Sequence, residues 1–214
     1  MKKRFATFIS GRGSNLHALL KAYREGNLLA DPVLILTNKK NAPGLRYGKE
    51  YQVPTFYIPW KDSIFAERKS VEKCREFQVD FIVLAGFMKI LKGPLLEAFE
   101  NRIINIHPSL LPAFPGKEAQ KQAIEYGVRY SGCTTHFVNK EVDGGPIILQ
   151  KVVEVDPNDS PEDLAARILP WEHKILVETV NLFGTDSLTI VNNRKVIIQN
   201  ARMGFNQRNR EGRD

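Results

Sequence analysis

The sequence predicts an α/β fold: a doubly wound, mostly parallel sheet with a Rossmann-like N-terminal half. Three observations predict it. First, short apolar runs such as "RFATFIS", "PVLILTN" and "DFIVLAGF" alternate with amphipathic stretches. Strands that are apolar on both faces belong in a parallel sheet covered by helices on both sides. Second, the segments "GRGSN", "AGFMKIL" and "NIHPSLLP" each coincide with the end of such a run, which is where doubly wound folds place their ligands. Third, 214 residues of which 43% are hydrophobic can bury a core without disulfides.

The elements follow in order. "RFATFIS" reads as a strand and "NLHALLKAYREG" as a helix, with Leu16, Leu19, Leu20 and Tyr23 on one face. Gly26 marks its end. "PVLILTN" is a second strand, residues 44–51 a helix, and "TFYIP" a third strand. Residues 62–77 form an amphipathic stretch leading to the strand "DFIVLAGF". "GPLLEAFE" carries proline near a helix start, and "RIINIH" is a fifth strand. Beyond residue 117 come a helix, "KEAQKQAIEYG", and two strands, "SGCTTHFV" and "PIILQKVVEV", joined around "NKEVDGG". A long helix follows, with Ser160 as cap, Pro161 in its first position and Asp163 at the third. Pro170 should kink it. "SLTIVNNRKVIIQ" reads as a hairpin turning at Asn192-Asn193.

Composition excludes several classes. Two cysteines, Cys74 and Cys133, give no disulfide framework and no paired-cysteine zinc site. Gly11, Arg12 and Gly13 interrupt the first apolar stretch before it reaches signal-peptide length. No run approaches a membrane span. The net charge of +7 is not organised into a basic stripe interleaved with aromatics, so it reads as a generally basic surface, with steering of small anions as the alternative. Residues 1–200 form one domain in this reading: about 1–100 a nucleotide-binding half, and 101–200 a catalytic half. Residues 201–214 read as a frayed basic tail.

"SGRGSN" lacks the third glycine of a dinucleotide fingerprint, because Leu16 stands there, and no Gly-Lys-Ser/Thr follows. What remains is a glycine turn feeding a helix N-terminus. Its N–H groups and dipole favour a phosphate, with Gly13, Ser14 and Asn15 as the contacting residues. A plain strand-to-helix turn fits the spacing equally well. Asn105 and His107 alternate along an extended segment, so their side chains share one face. An amide and an imidazolium are both donors, and two donors converging on one point suit an oxygen that gains negative charge. Asp143 lies before Gly144 and Gly145, which allow a sharp turn. A carboxylate beside His107 would raise the imidazole pKa; an ordinary Asp-Gly hairpin turn is the alternative. His17, His136 and His173 are scattered and suggest no metal site, and His17 and His136 read as structural.

The runs "ISGRGSNL", "VLAGFMKIL", "INIHPSLLPAFPG" and "HFVNKEVDGGPIILQ" resemble, in order from about residue 5 to residue 200, the folate-dependent formyltransferases. The glycine loop resembles that of the phosphoribosylglycinamide formyltransferase branch. The resemblance implies transfer of a formyl group from 10-formyltetrahydrofolate to the amine of 5-phosphoribosylglycinamide, a step of purine biosynthesis in the cytoplasm. In that mechanism Asn105 and His107 stabilise the oxyanion, and Asp143 keeps His107 protonated. It implies that Gly13, Ser14, Asn15 and Glu172 lie at the ribonucleotide. Met88, Lys89, Ile90 and Leu91, with Asn139, Lys140, Glu141 and Val142, would lie at the folate. It further implies a cis bond at Leu111-Pro112, no metal, small-molecule partners without nucleic acid or membrane, and a monomer or homodimer. The chain departs from the pattern at Ser63, where the family often has Arg near the folate tail, and at Pro170 and Trp171. Formyltetrahydrofolate deformylase shares the Asn-His-Asp core but carries an extra N-terminal domain, for which a first strand at Phe5 leaves no room. Methionyl-tRNA formyltransferase needs a further C-terminal domain, and the chain stops too soon for it. A non-catalytic nucleotide-binding protein would need the glycine loop without the triad.

Overall fold

The computed structural model describes residues 1–199, so the tail expectation for 201–214 lies outside the described residues. In order, the chain forms β1 (Arg4–Ile9), α1 (Ser14–Arg24), β2 (Asp31–Thr37), α2 (Leu45–Glu50), β3 (Thr55–Tyr57), α3 (Ser63–Glu76), β4 (Phe81–Leu84), α4 (Pro94–Ala98) and β5 (Ile103–His107). Then come α5 (Ala119–Tyr126), β6 (Tyr130–Phe137), β7 (Ile147–Glu154), α6 (Pro161–Gly184), β8 (Leu188–Val191) and β9 (Lys195–Ile198).

Seven strands make one sheet in the order β3-β2-β1-β4-β5-β6-β7. The first five are parallel; β6 and β7 add antiparallel at one side. This is the predicted doubly wound, mostly parallel architecture. Strand order reverses between β1 and β4, which creates the crevice at the carboxyl ends where such folds take ligands. The loops after β1, β4 and β5 all open there.

Alternation along the strands explains why both faces are apolar. Phe5, Phe81, Val83, Ile104 and Ile106 pack with Leu19 of α1 and Leu164, Ile168, Leu176 and Val180 of α6. Their neighbours Ala6, Phe8, Ile82, Leu84 and Ile103 face the other way, onto Ala66, Val71 and Cys74 of α3 and Leu95 and Leu96 of α4. Successive residues of a strand point to opposite faces, so each strand feeds two cores.

Helix ends follow their local chemistry. Ser160 caps α6 in a capping box closed by Asp163: Asp163 N–H donates to Ser160 Oγ (3.2 Å) and Ser160 N–H to Asp163 Oδ2 (3.0 Å). The helix continues through Pro170 as one element. Asn192 and Asn193 both adopt positive φ (50° and 52°) at the tip of the β8–β9 hairpin, the geometry of a type I′ turn. No helix among the described residues is long and apolar enough to cross a membrane.

Because α6 roofs the sheet beneath β5 and β6, truncating its buried seam should cost the whole fold. Leu176, fully buried, changed to Ala is expected to remove about 2–5 kcal/mol of stability in urea denaturation. A loss well under ~1 kcal/mol would mean that α6 is not part of the cooperative core.

Candidate active site at the carboxyl ends of the strands

Four segments converge beyond β5. Asn105 and His107 leave the strand on one face, and β6 pairs alongside with Asn105 opposite His136 and His107 opposite Thr134. The loop between β6 and β7 brings Asp143 back over them. It can do so because Asp143 takes a left-handed φ of 52° and because Gly145 lies so close to the Phe137 carbonyl oxygen that a Cβ there would sit 1.8 Å from it. Asp143 Oδ2 lies 3.3 Å from His107 Nδ1 and accepts the Gly116 N–H at 2.8 Å. Its Oδ1 accepts from Asn105 Nδ2 at 3.4 Å. His107 Nε2 lies 2.8 Å from the Phe114 carbonyl oxygen.

The turn carrying Phe114 and Gly116 is itself tied down. Thr134 Oγ1 donates to the Ser109 carbonyl (2.7 Å) and accepts the Leu111 N–H (3.1 Å). Gln150 Nε2 donates to the Leu111 carbonyl (2.9 Å), and Ser109 Oγ donates to the Ala113 carbonyl. Leu111-Pro112 is cis, as the resemblance implies.

The electrostatics correct one expectation. His107 is 4% exposed, and desolvation lowers its pKa below the ordinary 6.5. The bond to Phe114 and the Asp143 carboxylate both raise it, but not enough to offset burial. The expected upward pull of Asp143 is therefore present and outweighed. Both ring nitrogens nevertheless face acceptors, so the imidazolium is the form in which each N–H has a partner. For Asp143, burial raises the carboxyl pKa, yet contacts with His136 and the Gly116 N–H, and the nearby His107, leave it net below the usual range.

His136, read from sequence as structural, belongs to this cluster. Its Nδ1 lies 2.8 Å from the Phe137 carbonyl oxygen, and its Nε2 lies 3.1 Å from Asn105 Nδ2 and 3.5 Å from Asp143 Oδ1. Which ring nitrogens carry hydrogen decides whether Nε2 accepts from the Asn105 amide or donates to Asp143. The missing signal is the β5–β6 register, which pairs His136 with Asn105 across the sheet and is not written in either strand alone.

The glycine loop lies across the switch point. Gly13 takes a left-handed φ of 74°, and a Cβ there would stand 3.0 Å from Gly44 Cα. The first intrahelical bond of α1 is His17 N–H to the Gly13 carbonyl (2.9 Å), so the amides of Ser14, Asn15 and Leu16 precede the intrahelical ladder. Ser14 lines a cavity of about 370 Å³ with Arg12, Pro43, Arg46, Tyr47 and Leu169. Asn15 is buried, and its Nδ2 donates to Glu172 Oε2 at 2.8 Å. The fold thus joins two predicted site residues 157 positions apart. It also commits the Asn15 amide to α6. Burial raises the Glu172 pKa, and the Asn15 bond partly opposes this.

The remaining predicted residues form a rim. Met88, Lys89 and Ile90 are exposed on the loop after β4, but Leu91 is buried against the core that holds Phe87, Leu95 and Leu96. Leu91 therefore anchors the loop and does not contribute to its outer surface. Asn139, Lys140, Glu141 and Val142 are all exposed on the loop that carries Asp143. The Asn139 side chain accepts the Glu141 N–H (2.9 Å) and shapes that loop.

Comparison with known proteins agrees over most of the chain. The formyl transferase family profile matches residues 3–180. The chain is 42% identical over 188 residues to the chloroplastic phosphoribosylglycinamide formyltransferase of Arabidopsis thaliana, covering 84% of this chain and 64% of that protein. It is 39% identical over 175 residues to the phosphoribosylglycinamide formyltransferase of Bacillus subtilis, covering 80% of this chain and 90% of that one. The crystal structure of glycinamide ribonucleotide transformylase 1 from Symbiobacterium toebii superimposes with a TM-score of 0.90 at 42% identity, over 92% of this chain and 94% of that chain. The chain spans less than two thirds of the plant relative's length.

The electrostatic account can be measured by NMR titration of the imidazoles. His107 is expected to titrate below 6.5 and to move lower still in Asp143→Asn, because the variant removes a contribution that raises the pKa. An upward move would overturn the account. The linkage has one sign. With the folded pKa below the unfolded value, the unfolded chain binds the proton first, so stability falls as pH drops from about 6.5 through the folded pKa. Asp143, also lowered, contributes stability above its unfolded pKa and loses it as pH falls through the folded one.

Proposed function

We infer the function from what the chain is: it belongs to the formyl transferase family. On that premise, it transfers the formyl group of 10-formyltetrahydrofolate to the amine of 5-phosphoribosylglycinamide, as a cytoplasmic enzyme of de novo purine biosynthesis. The observation that carries the reading is the meeting of Asn105 and His107 at Asp143, 3.4 Å and 3.3 Å from its two carboxylate oxygens, at the same end of the sheet as an anion-suited helix N-terminus.

The folate donor supplies the formyl carbon. Attack by the amine forms a carbon–nitrogen bond and puts charge on the formyl oxygen. Asn105 faces that charge with an amide whose second contact, 3.4 Å to Asp143, is long enough to be exchanged for a stronger one. Such preorganised donors act where charge develops. His107 is fixed by Nε2 on the Phe114 carbonyl, and the looser Nδ1 position, 3.3 Å from Asp143, is where it exchanges a proton. Growing negative charge beside the ring raises its pKa, so His107 gains a proton as the oxyanion forms. The proton lost by the amine is the one finally delivered to the folate nitrogen when the old carbon–nitrogen bond breaks. Asp143 stabilises the imidazolium in between and holds the ring in place through Gly116.

Gly13, Ser14 and Asn15 hold the ribonucleotide phosphate, and Glu172 orients Asn15 from α6. The exposed Met88, Ile90 and Val142 fit an aromatic pterin ring entering between the two loops, with Lys89 and Asn139 to Glu141 at its margin. Leu91 supports that surface from beneath.

Formation of deformylated folate, followed by absorbance, tests the reading. Turnover that needs the ribonucleotide is expected; turnover without it would instead assign formyl transfer to water, and none at all would leave a binding protein. His107→Ala and Asp143→Asn should each lower kcat by about 100-fold or more with the fold intact. Near-normal turnover would remove that residue from the mechanism. Asn15→Leu should weaken ribonucleotide binding more than folate binding in titration calorimetry; equal weakening would contradict the loop assignment.

A further inference from the structure

One buried acidic group lies outside the site already described. Glu67, in the second turn of α3, is fully buried among Ala66, Ser70, Val71 and Cys74 on the inner face of that helix. A buried carboxylate is costly unless its lone pairs find donors. Here the donors are all backbone. Oε1 accepts the Lys92 N–H at 2.7 Å, and Oε2 accepts the Gly93 and Leu95 N–H groups at 3.1 Å each. These three amides end the loop that begins after β4 and start α4. Contacts of this kind, with an ionised acceptor, are among the stronger hydrogen bonds in proteins.

The same loop is pinned at its other end. Met88 N–H donates to Ser10 Oγ (2.8 Å), and Ser10 Oγ donates in turn to Asn38 Oδ1 (2.6 Å). Ser10 N–H donates to the Gly86 carbonyl (3.1 Å). The stretch from one attachment to the other carries the side chains of Met88 and Ile90, 66% and 57% exposed. A short segment that holds two large apolar side chains in water, while both its ends are fixed by buried hydrogen bonds, is a preformed surface rather than a collapsed one. Without the ties, the loop could fold its apolar groups onto the core.

We propose that Glu67 is the positioning residue of the donor loop: its buried carboxylate holds the backbone of Lys92, Gly93 and Leu95, and thereby keeps Met88–Ile90 at the height the folate ring meets. This rests on the reading of the loop as the folate surface given above. Glu67 touches no substrate; it acts through the backbone, from the face of the sheet opposite α6.

The test is Glu67→Gln, which keeps the shape but replaces one acceptor oxygen with an NH₂ facing an N–H. Two measurements are made on the full chain. In hydrogen exchange, the amides of Lys92, Gly93 and Leu95 should exchange at least ~10-fold faster in the variant, with β4 protection unchanged. In steady-state kinetics, the KM for 10-formyltetrahydrofolate should rise roughly 10-fold, while the KM for the ribonucleotide and kcat at saturation stay within about twofold. That split is not what general destabilisation produces. Unchanged exchange, an unchanged folate KM in an active enzyme, or a parallel loss in both KM values and kcat would each overturn the proposal. An inactive wild-type protein would overturn the functional reading instead, and the folate dissociation constant of variant and wild type would then decide the tether. Should the variant not fold, wild-type exchange decides: the three amides must be protected well beyond those of exposed Lys89 and Ile90, and equal rates would sink the idea.

Discussion

The carboxylate of Asp143 ties together three stretches of chain that would otherwise diverge: the end of β5, the proline-rich turn after it, and the loop between β6 and β7. One oxygen takes the Gly116 amide and faces His107, and the other faces Asn105 and His136. The arrangement demands a left-handed residue at 143 and a glycine at 145. A bare carboxylate in a half-buried position would be unstable; surrounded by an amide, two imidazoles and a side-chain amide it is held in its charged form. The antiparallel strands deliver it, because the loop that joins β6 to β7 carries Asp143 back over the end of β5. A sheet of five parallel strands alone would end at His107 with nothing above it.

The two surfaces proposed to hold substrate are not independent pieces either. The turn after β1 and the loop after β4 meet at the switch point, where Ser10 bonds to both Gly86 and Met88. The glycine loop is braced from outside by Gly44, whose N–H donates to the Gly11 carbonyl at 3.0 Å, and from above by Glu172 through Asn15. Rigid hydrogen-bonded support of this sort keeps reacting groups in place before substrate arrives. It also explains why so many polar side chains are buried at one end of the sheet while the strand middles are almost entirely apolar.

Much of this was legible in the residues. Parallel strands buried on both faces announce themselves as continuous apolar runs, and the positions of β1, β2, β4 and β5 follow directly. Asn105 and His107 could be paired from spacing because a strand has a fixed period of two. What could not be read depends on contacts between distant segments. His136 looks like any polar residue in a strand until register sets it across from Asn105. Glu67 looks like a solvated position on an amphipathic helix, and only the packing of α3 against α4 reveals that its partners are amides. Leu91 shares a loop with exposed residues, yet turns inward because the chain must re-enter the core before α4. The net direction of the His107 pKa shift was missed for the same reason: a neighbouring carboxylate can be guessed from sequence, but the depth of burial that outweighs it cannot.

In the mechanism proposed above, the balance at His107 has a chemical use. A histidine with a pKa well above neutrality would hold its proton too firmly to pass it on; one buried without a carboxylate would never accept one. Desolvation and Asp143 act in opposite senses on the same ring, so its protonation responds to whatever charge appears beside it. A growing oxyanion is such a charge. In that mechanism the same ring takes up and gives back the proton, and with Nε2 anchored to the Phe114 carbonyl the exchange at Nδ1 requires no reorientation of the ring.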